Sequence, residues 1–81
     1  MADYLEELKE KISQKLNEKG IKILPKTGTL RLVKDNEIVM VLTDKGDYIE
    51  MSYKGQTYKY DKWYTKPEHL SSVILRQFGV Q

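Results

Sequence analysis

Hydrophobic positions recur with a helical period at the start of the chain. Over residues 3–19 the spacing of three and four positions makes one apolar stripe, formed by Leu5, Leu8, Ile12 and Leu16. Asp3 is suited to cap the start of this helix. Gly20 followed by the apolar Ile21 is typical of a helix end. These signals predict an amphipathic helix over residues 3–19.

From residue 28 the hydrophobic period changes to two, which is typical of half-buried strands. Four strand candidates follow: TLRLV (29–33), EIVMVL (37–42), DYIEMSY (47–53) and QTYKY (56–60). Short turns separate them at residues 35–36, 44–46 and 54–55, so they predict an antiparallel meander. Residues 24–28, LPKTG, are interpreted as a proline–glycine connection between the helix and the sheet.

A second helical pattern follows the last strand. Residues 65–68, TKPE, have the spacing of a capping box with a proline in the first turn. The apolar face of this helix comprises Leu70, Val73, Ile74 and Phe78. The sequence therefore predicts one α+β domain over residues 1–81, in the order α-β-β-β-β-α. We expect a four-stranded antiparallel meander sheet flanked by N- and C-terminal helices, with both helices packed on one face of the sheet. The alternative is a three-layer arrangement with one helix on each face.

The turn at residues 54–55 fixes which side chains of the last two strands share a face. A two-residue turn there gathers Ile49, Met51, Tyr53, Tyr58 and Tyr60 on the core side of the sheet. The first two strands have two alternatives. If residues 44–46 form a bulged turn, the core gains Leu30, Leu32, Val39 and Val41. The opposite face then carries Val33, Ile38, Met40, Leu42 and Tyr48. If the turn is only residues 45–46, the first two strands exchange faces. Either alternative leaves apolar residues on a face that the helices need not cover, which indicates a contact surface for a protein partner or a second copy.

Composition excludes several kinds of chemistry. The chain has no cysteine, so it has no disulfide, thiolate metal site or cysteine nucleophile. His69 is the only histidine, and no spacing places it in a metal site or a catalytic group. We therefore expect no catalytic residue, metal, cofactor or small-molecule substrate. The charged N-terminal segment and the lack of an apolar run of about 18 residues predict a cytoplasmic protein without a membrane contact.

Residues 53–66, YKGQTYKYDKWYTK, concentrate aromatic and basic side chains. They hold four of the six tyrosines, the single tryptophan and four lysines, opposed only by Asp61. The register above assigns three of these tyrosines to the core. The remaining residues indicate an aromatic and basic surface near the start of the second helix, whose N-terminus also attracts anions. The predicted nucleic-acid contacts are Arg31, Lys54, Lys59, Lys62, Trp63, Tyr64 and Lys66. The alternative is that Trp63 covers the core and the lysines are solvated.

Two functions are therefore expected of a small non-enzymatic protein. The first, slightly favoured, is binding of nucleic acid through the lysine and aromatic surface, with an affinity that falls steeply with salt. The second is a protein–protein contact, either a homodimer or inhibition of another protein, through the apolar sheet face. The small size would suit an accessory protein of a virus, although no residue indicates a source.

Overall fold

The computed structural model describes residues 3–80, which form two helices and one five-stranded sheet. The helices are α1 (Tyr4–Glu18) and α2 (Pro67–Gln77). The strands are β1 (Ile21–Lys26), β2 (Thr29–Lys34), β3 (Glu37–Asp44), β4 (Tyr48–Tyr53) and β5 (Gln56–Asp61). Neighbours in the sheet are also neighbours in sequence, and every pair is antiparallel. The α+β class and the antiparallel meander are confirmed, but the sheet has five strands instead of four.

The additional strand is β1, which includes part of the segment interpreted as a connection. It pairs with β2 from Ile21 opposite Lys34 to Lys26 opposite Thr29. Pro25 is compatible with this strand because β1 lies at the edge of the sheet and has only one neighbour to pair with. The true connection is the tight turn at residues 27–28, where Gly28 adopts a φ of +74°.

Local signals at the ends of α1 and in two of the turns are confirmed. The side chain of Asp3 accepts a hydrogen bond from the backbone N–H of Glu6 at 2.8 Å. At the other end, the N–H of Gly20 donates to the carbonyl of Asn17 at 3.0 Å. In the turns at residues 35–36 and 54–55 both central residues have positive φ, as a two-residue type I′ hairpin requires.

The core lies between the helices and one face of the sheet. Both helices supply buried residues. In β2, β3 and β4 only every second residue is buried, because successive side chains point to opposite faces of the sheet. The buried apolar residues are Leu5, Leu8, Ile12, Leu16, Ile21, Leu30, Leu32, Met40, Leu42, Ile49, Met51, Leu70, Ile74 and Leu75. Both helices therefore pack on the same face, and the three-layer alternative is wrong.

The core tyrosines follow the predicted register only in part. Tyr58 lies opposite Met51, and Tyr60 lies opposite Ile49, as expected from the turn at residues 54–55. Tyr53 and Tyr60 pack against the core. Tyr58, however, is 38% exposed, because β5 is the other edge strand.

The register of β3 combines the two alternatives for the first strands. Leu42 lies opposite Met51, which puts Met40 and Leu42 on the helix side. A β-bulge in β3 then inserts one extra residue, so that Leu32 faces Met40 while Val33 faces Ile38. Because of this extra residue, Leu30 and Leu32 lie on the same side of the sheet as Met40 and Leu42.

This register corrects two predicted interface residues. Met40 and Leu42 are only 1% and 0% exposed and lie beneath the helices, so they cannot contact a partner. Val41, assigned to the core by one alternative, lies on the opposite face as the neighbour of Arg31.

The second face of the sheet is not covered by any helix in the described residues. All its side chains are exposed or half-buried. By the register, this uncovered sheet face consists of Lys22, Leu24, Lys26, Thr29, Arg31, Val33, Ile38, Val41, Thr43, Tyr48, Glu50, Ser52, Thr57, Lys59 and Asp61. Within residues 3–80, neither helix has the length and apolar character needed to cross a membrane.

Candidate nucleic-acid interface

The loop between β5 and α2, residues 62–66, is organised by the last residue of β5. One carboxylate oxygen of Asp61 accepts hydrogen bonds from the backbone N–H groups of Trp63, at 2.7 Å, and Tyr64, at 3.2 Å. The carbonyl of Asp61 accepts a third bond from the N–H of Thr65 at 2.8 Å. An aspartate that binds the backbone two and three residues ahead is a common way to fix a turn. The loop therefore has a defined conformation.

Two contacts from other elements hold the same loop. The hydroxyl of Tyr4, at the start of α1, donates a hydrogen bond to the carbonyl of Thr65. Burial raises the pKa of Tyr4 to about 12, so the hydroxyl remains a hydrogen-bond donor at pH values where an unperturbed tyrosine, with a pKa of about 10, would ionise. The ammonium of Lys62 pairs with the carboxylate of Asp44, at the end of β3, at 2.7 Å.

The ion pair also favours the ionised form of Asp44. Burial opposes ionisation of this carboxyl group, but the Lys62 ammonium and the N–H of Gly46 outweigh that effect. Together they hold the pKa of Asp44 below its usual range. Lys62 is therefore engaged within the protein and is less available to a phosphate than its place in the sequence suggests.

The side chains of Trp63 and Tyr64 extend into solvent from this fixed loop. They are 75% and 83% exposed, the largest exposures among the big apolar and aromatic residues of the described chain. The ammonium of Lys66 lies 5.3 Å from the centre of the Trp63 ring, within the range of a cation–π contact. The alternative that Trp63 covers the core is wrong. We call Trp63, Tyr64 and Lys66 the aromatic loop patch.

The N-terminus of α2 adjoins this patch, and its capping differs from the capping box predicted at residues 65–68. Thr65 does not act as the cap. The N-cap residue is Lys66, and no side chain makes a capping hydrogen bond there. The N–H of His69 bonds to the carbonyl of Lys66 at 3.0 Å. The predicted capping box is therefore not formed, and the positive end of the helix lies beside Lys66 without a capping side chain.

The seven predicted nucleic-acid contacts do not form one surface. Lys62, Trp63, Tyr64 and Lys66 lie together in the loop after β5. Lys54 lies in the turn before β5, at the opposite end of that strand from the loop. The six residues of β5, at about 3.3 Å per residue, put it roughly 20 Å away. Its ammonium lies 5.4 Å from the centre of the Tyr53 ring.

The other two predicted contacts lie on the uncovered sheet face. Lys59, in the middle of β5, places its ammonium 5.5 Å from the centre of the Tyr48 ring. Arg31 lies three strands away in β2. The structure therefore separates a compact aromatic site from scattered basic residues.

The predicted protein interface keeps three of its five residues. Val33, Ile38 and Tyr48 lie on the uncovered sheet face, and Ile38 is 56% exposed. They are accompanied by polar and charged residues, so this face is less apolar than the sequence suggested.

Sequence reasoning missed the residues that fix the loop. An aspartate at the end of a strand, followed closely by two aromatic residues, was a readable signal for the turn around Asp61. Tyr4 and Asp44 carried no such signal, because they approach the loop from distant parts of the chain.

No cluster of potential metal ligands is found in residues 3–80. His69 is exposed, and the hydroxyl of Ser71 donates to the carbonyl of Glu68 in the same helix at 2.7 Å. A scan against protein-family models matched none, and searches of curated proteins and solved structures found no significant match. The function must therefore be inferred from the residues of the site.

Proposed function

We propose that the chain is a non-enzymatic protein that binds single-stranded nucleic acid through the aromatic loop patch. The observation that carries this proposal is the exposure of Trp63 and Tyr64, 75% and 83%, on a loop held by Asp61, Tyr4 and Lys62. Large aromatic side chains that remain in solvent do not gain the favourable free energy of burial, so a ligand that covers them supplies it. Because their loop is already ordered, little conformational entropy would be lost when a ligand covers them.

The chemistry of the patch favours unpaired bases. Adjacent Trp63 and Tyr64 side chains offer aromatic surfaces on which bases stack, and each such contact is worth about 1–3 kcal/mol. The faces of paired bases are hidden within a duplex, so stacking requires a single strand or an unpaired segment. Lys66 and the N-terminus of α2 supply positive potential for a neighbouring phosphate.

The geometry also changes the expected salt dependence. Lys62 is paired with Asp44, while Lys54, Lys59 and Arg31 lie elsewhere, so only one or two phosphates are neutralised at the patch. Each neutralised phosphate of a single strand contributes a slope of about −0.7 to log K against log salt. We therefore propose stacking-dominated binding with a slope of roughly −1, instead of the steep dependence expected if all five predicted basic residues clustered together.

The experiment is a titration of the protein with short single-stranded DNA and RNA of about ten nucleotides and with the matching duplexes. Trp63 is the only tryptophan, so its fluorescence reports on the patch alone. A fluorescein-labelled oligonucleotide gives an independent anisotropy signal for variants that lack Trp63. The expected result is quenching by single strands, with much weaker binding of duplexes.

Substitutions distinguish the patch from general basic attraction. Trp63→Ala and Tyr64→Ala should each weaken binding about 5- to 150-fold, the range that a stacking contact supports. Tyr58→Ala is the matched control, because Tyr58 is an exposed tyrosine outside the patch. Equal binding by all three variants, or no fluorescence response to any oligonucleotide, would rule out the proposed site.

A further inference from the structure

Charged side chains are segregated across the uncovered sheet face. The charged residues on the β1–β2 side are all basic: Lys22, Lys26 and Arg31. The β4–β5 side carries both acidic residues of the face and one basic residue: Glu50, Asp61 and Lys59. Between them, β3 presents uncharged side chains only: Ile38, Val41 and Thr43. One half of the face is therefore positive and the other is slightly negative.

We propose that this face is a homodimer interface in which Arg31 of each copy pairs with Glu50 of the other. The proposal concerns a surface distinct from the aromatic loop patch. A twofold axis lying along β3 would place β1 and β2 of one copy over β5 and β4 of the second copy. The positive half of each face then meets the half with a net charge of −1, where Lys26 is level with Lys59 of the other copy and Arg31 is near Glu50.

The central strand is suited to lie on such an axis. Residues on a twofold axis meet their own copies, so like charges there would repel. The side chains that β3 presents have no charge, and Val41 and Ile38 would form an apolar seam with their copies. An axis across the strands would instead lay β1 and β2 over their own copies and bring the two positive halves together, which charge repulsion disfavours.

Arg31 supplies an independent observation. Its Nε atom is buried, and no acceptor among the described residues forms a hydrogen bond with it. A buried donor without an acceptor is unfavourable, and rotation of the Arg31 side chain out of the sheet face would let its guanidinium bind a carboxylate through Nε and a terminal nitrogen. Across the sheet, Arg31 is level with Val41 and Ser52, and Glu50 lies two residues further along β4, about 7 Å away. Two sheets packed about 10 Å apart bring that carboxylate of the second copy within reach of the arginine side chain.

The size of the face sets the expected strength. Five strands spaced by about 4.8 Å, each contributing about five residues, give a footprint of roughly 400 Å² per copy. A stable interface of standard size covers about 800 Å² per partner. We therefore expect a dimer that dissociates in the micromolar range and whose population depends on concentration.

The experiment is sedimentation velocity of the full chain from roughly 10 µM to 1 mM, a range that brackets a weak interface. Arg31→Glu and Glu50→Arg should each weaken dimerisation about 100-fold or more, because each homodimer would then contain two like-charged contacts. An equimolar mixture of the two variants should restore the dimer. In that heterodimer the two substituted side chains attract each other, and the unchanged Arg31 of one chain meets the unchanged Glu50 of the other.

The mixture separates loss of contact from loss of folding, since two unfolded variants would not rescue each other. Lys11→Glu makes the same charge change on α1, away from the uncovered sheet face, and should leave the dimer unchanged. A parent protein that stays monomeric up to 1 mM would overturn the proposal. So would an Arg31→Glu variant that dimerises like the parent, or folded variants that stay monomeric when mixed.

Discussion

Asp61 fixes the positions of both exposed aromatic residues with a single carboxylate oxygen. This oxygen accepts hydrogen bonds from the backbone N–H groups of Trp63 and Tyr64, while the carbonyl of Asp61 accepts one from the N–H of Thr65. Tyr4 binds the carbonyl of Thr65 from the other side. Four hydrogen bonds thus determine the backbone of the loop, and none of them uses the side chain of Trp63 or Tyr64. The rings are consequently free to bind a ligand without loss of loop structure.

Tyr4 gives this loop a measurable dependence on pH. Its pKa is about 12 in the folded protein, above the value of about 10 for an unperturbed tyrosine. The folded state therefore holds the proton more tightly than the unfolded state. The stabilisation from Tyr4 is complete below about pH 10 and is lost as the pH rises towards 12.

We expect the Tyr4→Phe variant to be less stable than the parent by about 1 kcal/mol at pH 7, because the hydrogen bond to Thr65 is lost. The difference in free energy of unfolding should shrink between about pH 10 and pH 12. Urea unfolding of both proteins, followed by circular dichroism at several pH values, measures this difference. Tyr64→Phe is the control, since that side chain is 83% exposed. A difference for Tyr4→Phe that stays constant up to pH 12 would contradict this account.

At the scale of elements, the helices and hairpin turns were predictable because their signals are local. Asp3 and the apolar stripe define α1, and the turns at residues 35–36 and 54–55 carry residues that accept positive φ. The strand β1 was not predicted, since Pro25 is typical of a loop unless the strand lies at an edge. Edge position is a property of the assembled sheet and cannot be read from residues 21–26 alone.

The β-bulge in β3 escaped prediction for a different reason. The segment EIVMVL is apolar at nearly every position, so either phase of the alternation fits it. Only pairing with both neighbouring strands decides that Met40 and Leu42 face the helices. The candidate site, likewise, depends in part on contacts with distant elements. Its location after the last strand was predictable, but the exposure of Trp63 depends on where α2 packs.

The register assigns opposite roles to two adjacent residues of β3, which makes it directly testable. Met40 is 1% exposed in the core, whereas Val41 is half-buried on the uncovered sheet face. Met40→Lys would bury an unpaired charge, at a cost of about 3–5 kcal/mol, a large part of the stability of a small domain. Val41→Lys should change the free energy of unfolding by less than about 1 kcal/mol, yet abolish the dimer by placing two charges on its axis.

Thermal unfolding by circular dichroism and sedimentation velocity on the same two variants measure both effects. Leu42→Lys should behave like Met40→Lys, since Leu42 is completely buried on the same side. A folded, stable Met40→Lys protein together with an unfolded Val41→Lys protein would show that β3 has the other register.

At the scale of the whole molecule, a net charge of +2 conceals an ordered distribution. Meander topology brings the basic residues of β1 and β2 to one half of the uncovered sheet face and the acidic residues of β4 and β5 to the other. The same topology carries β5 to one edge, where the loop to α2 presents Trp63 and Tyr64. The sequence suggested one mixed surface for Arg31, Lys59 and Trp63, and the fold divides these residues between two.

Two separate surfaces should respond independently to substitution. Arg31 in β2 and the loop after β5 are separated by three strand spacings, about 14 Å, which exceeds the Debye length of about 8 Å at 0.15 M salt. At that salt concentration, Arg31→Glu should change oligonucleotide affinity by less than about twofold while it disrupts the dimer. Trp63→Ala should weaken oligonucleotide binding and leave the dimer unchanged. Fluorescence anisotropy and sedimentation velocity on both variants complete the comparison. If Arg31→Glu instead lowered oligonucleotide affinity tenfold or more, the nucleic-acid surface would have to extend across the sheet, and that face would no longer be available to a second copy.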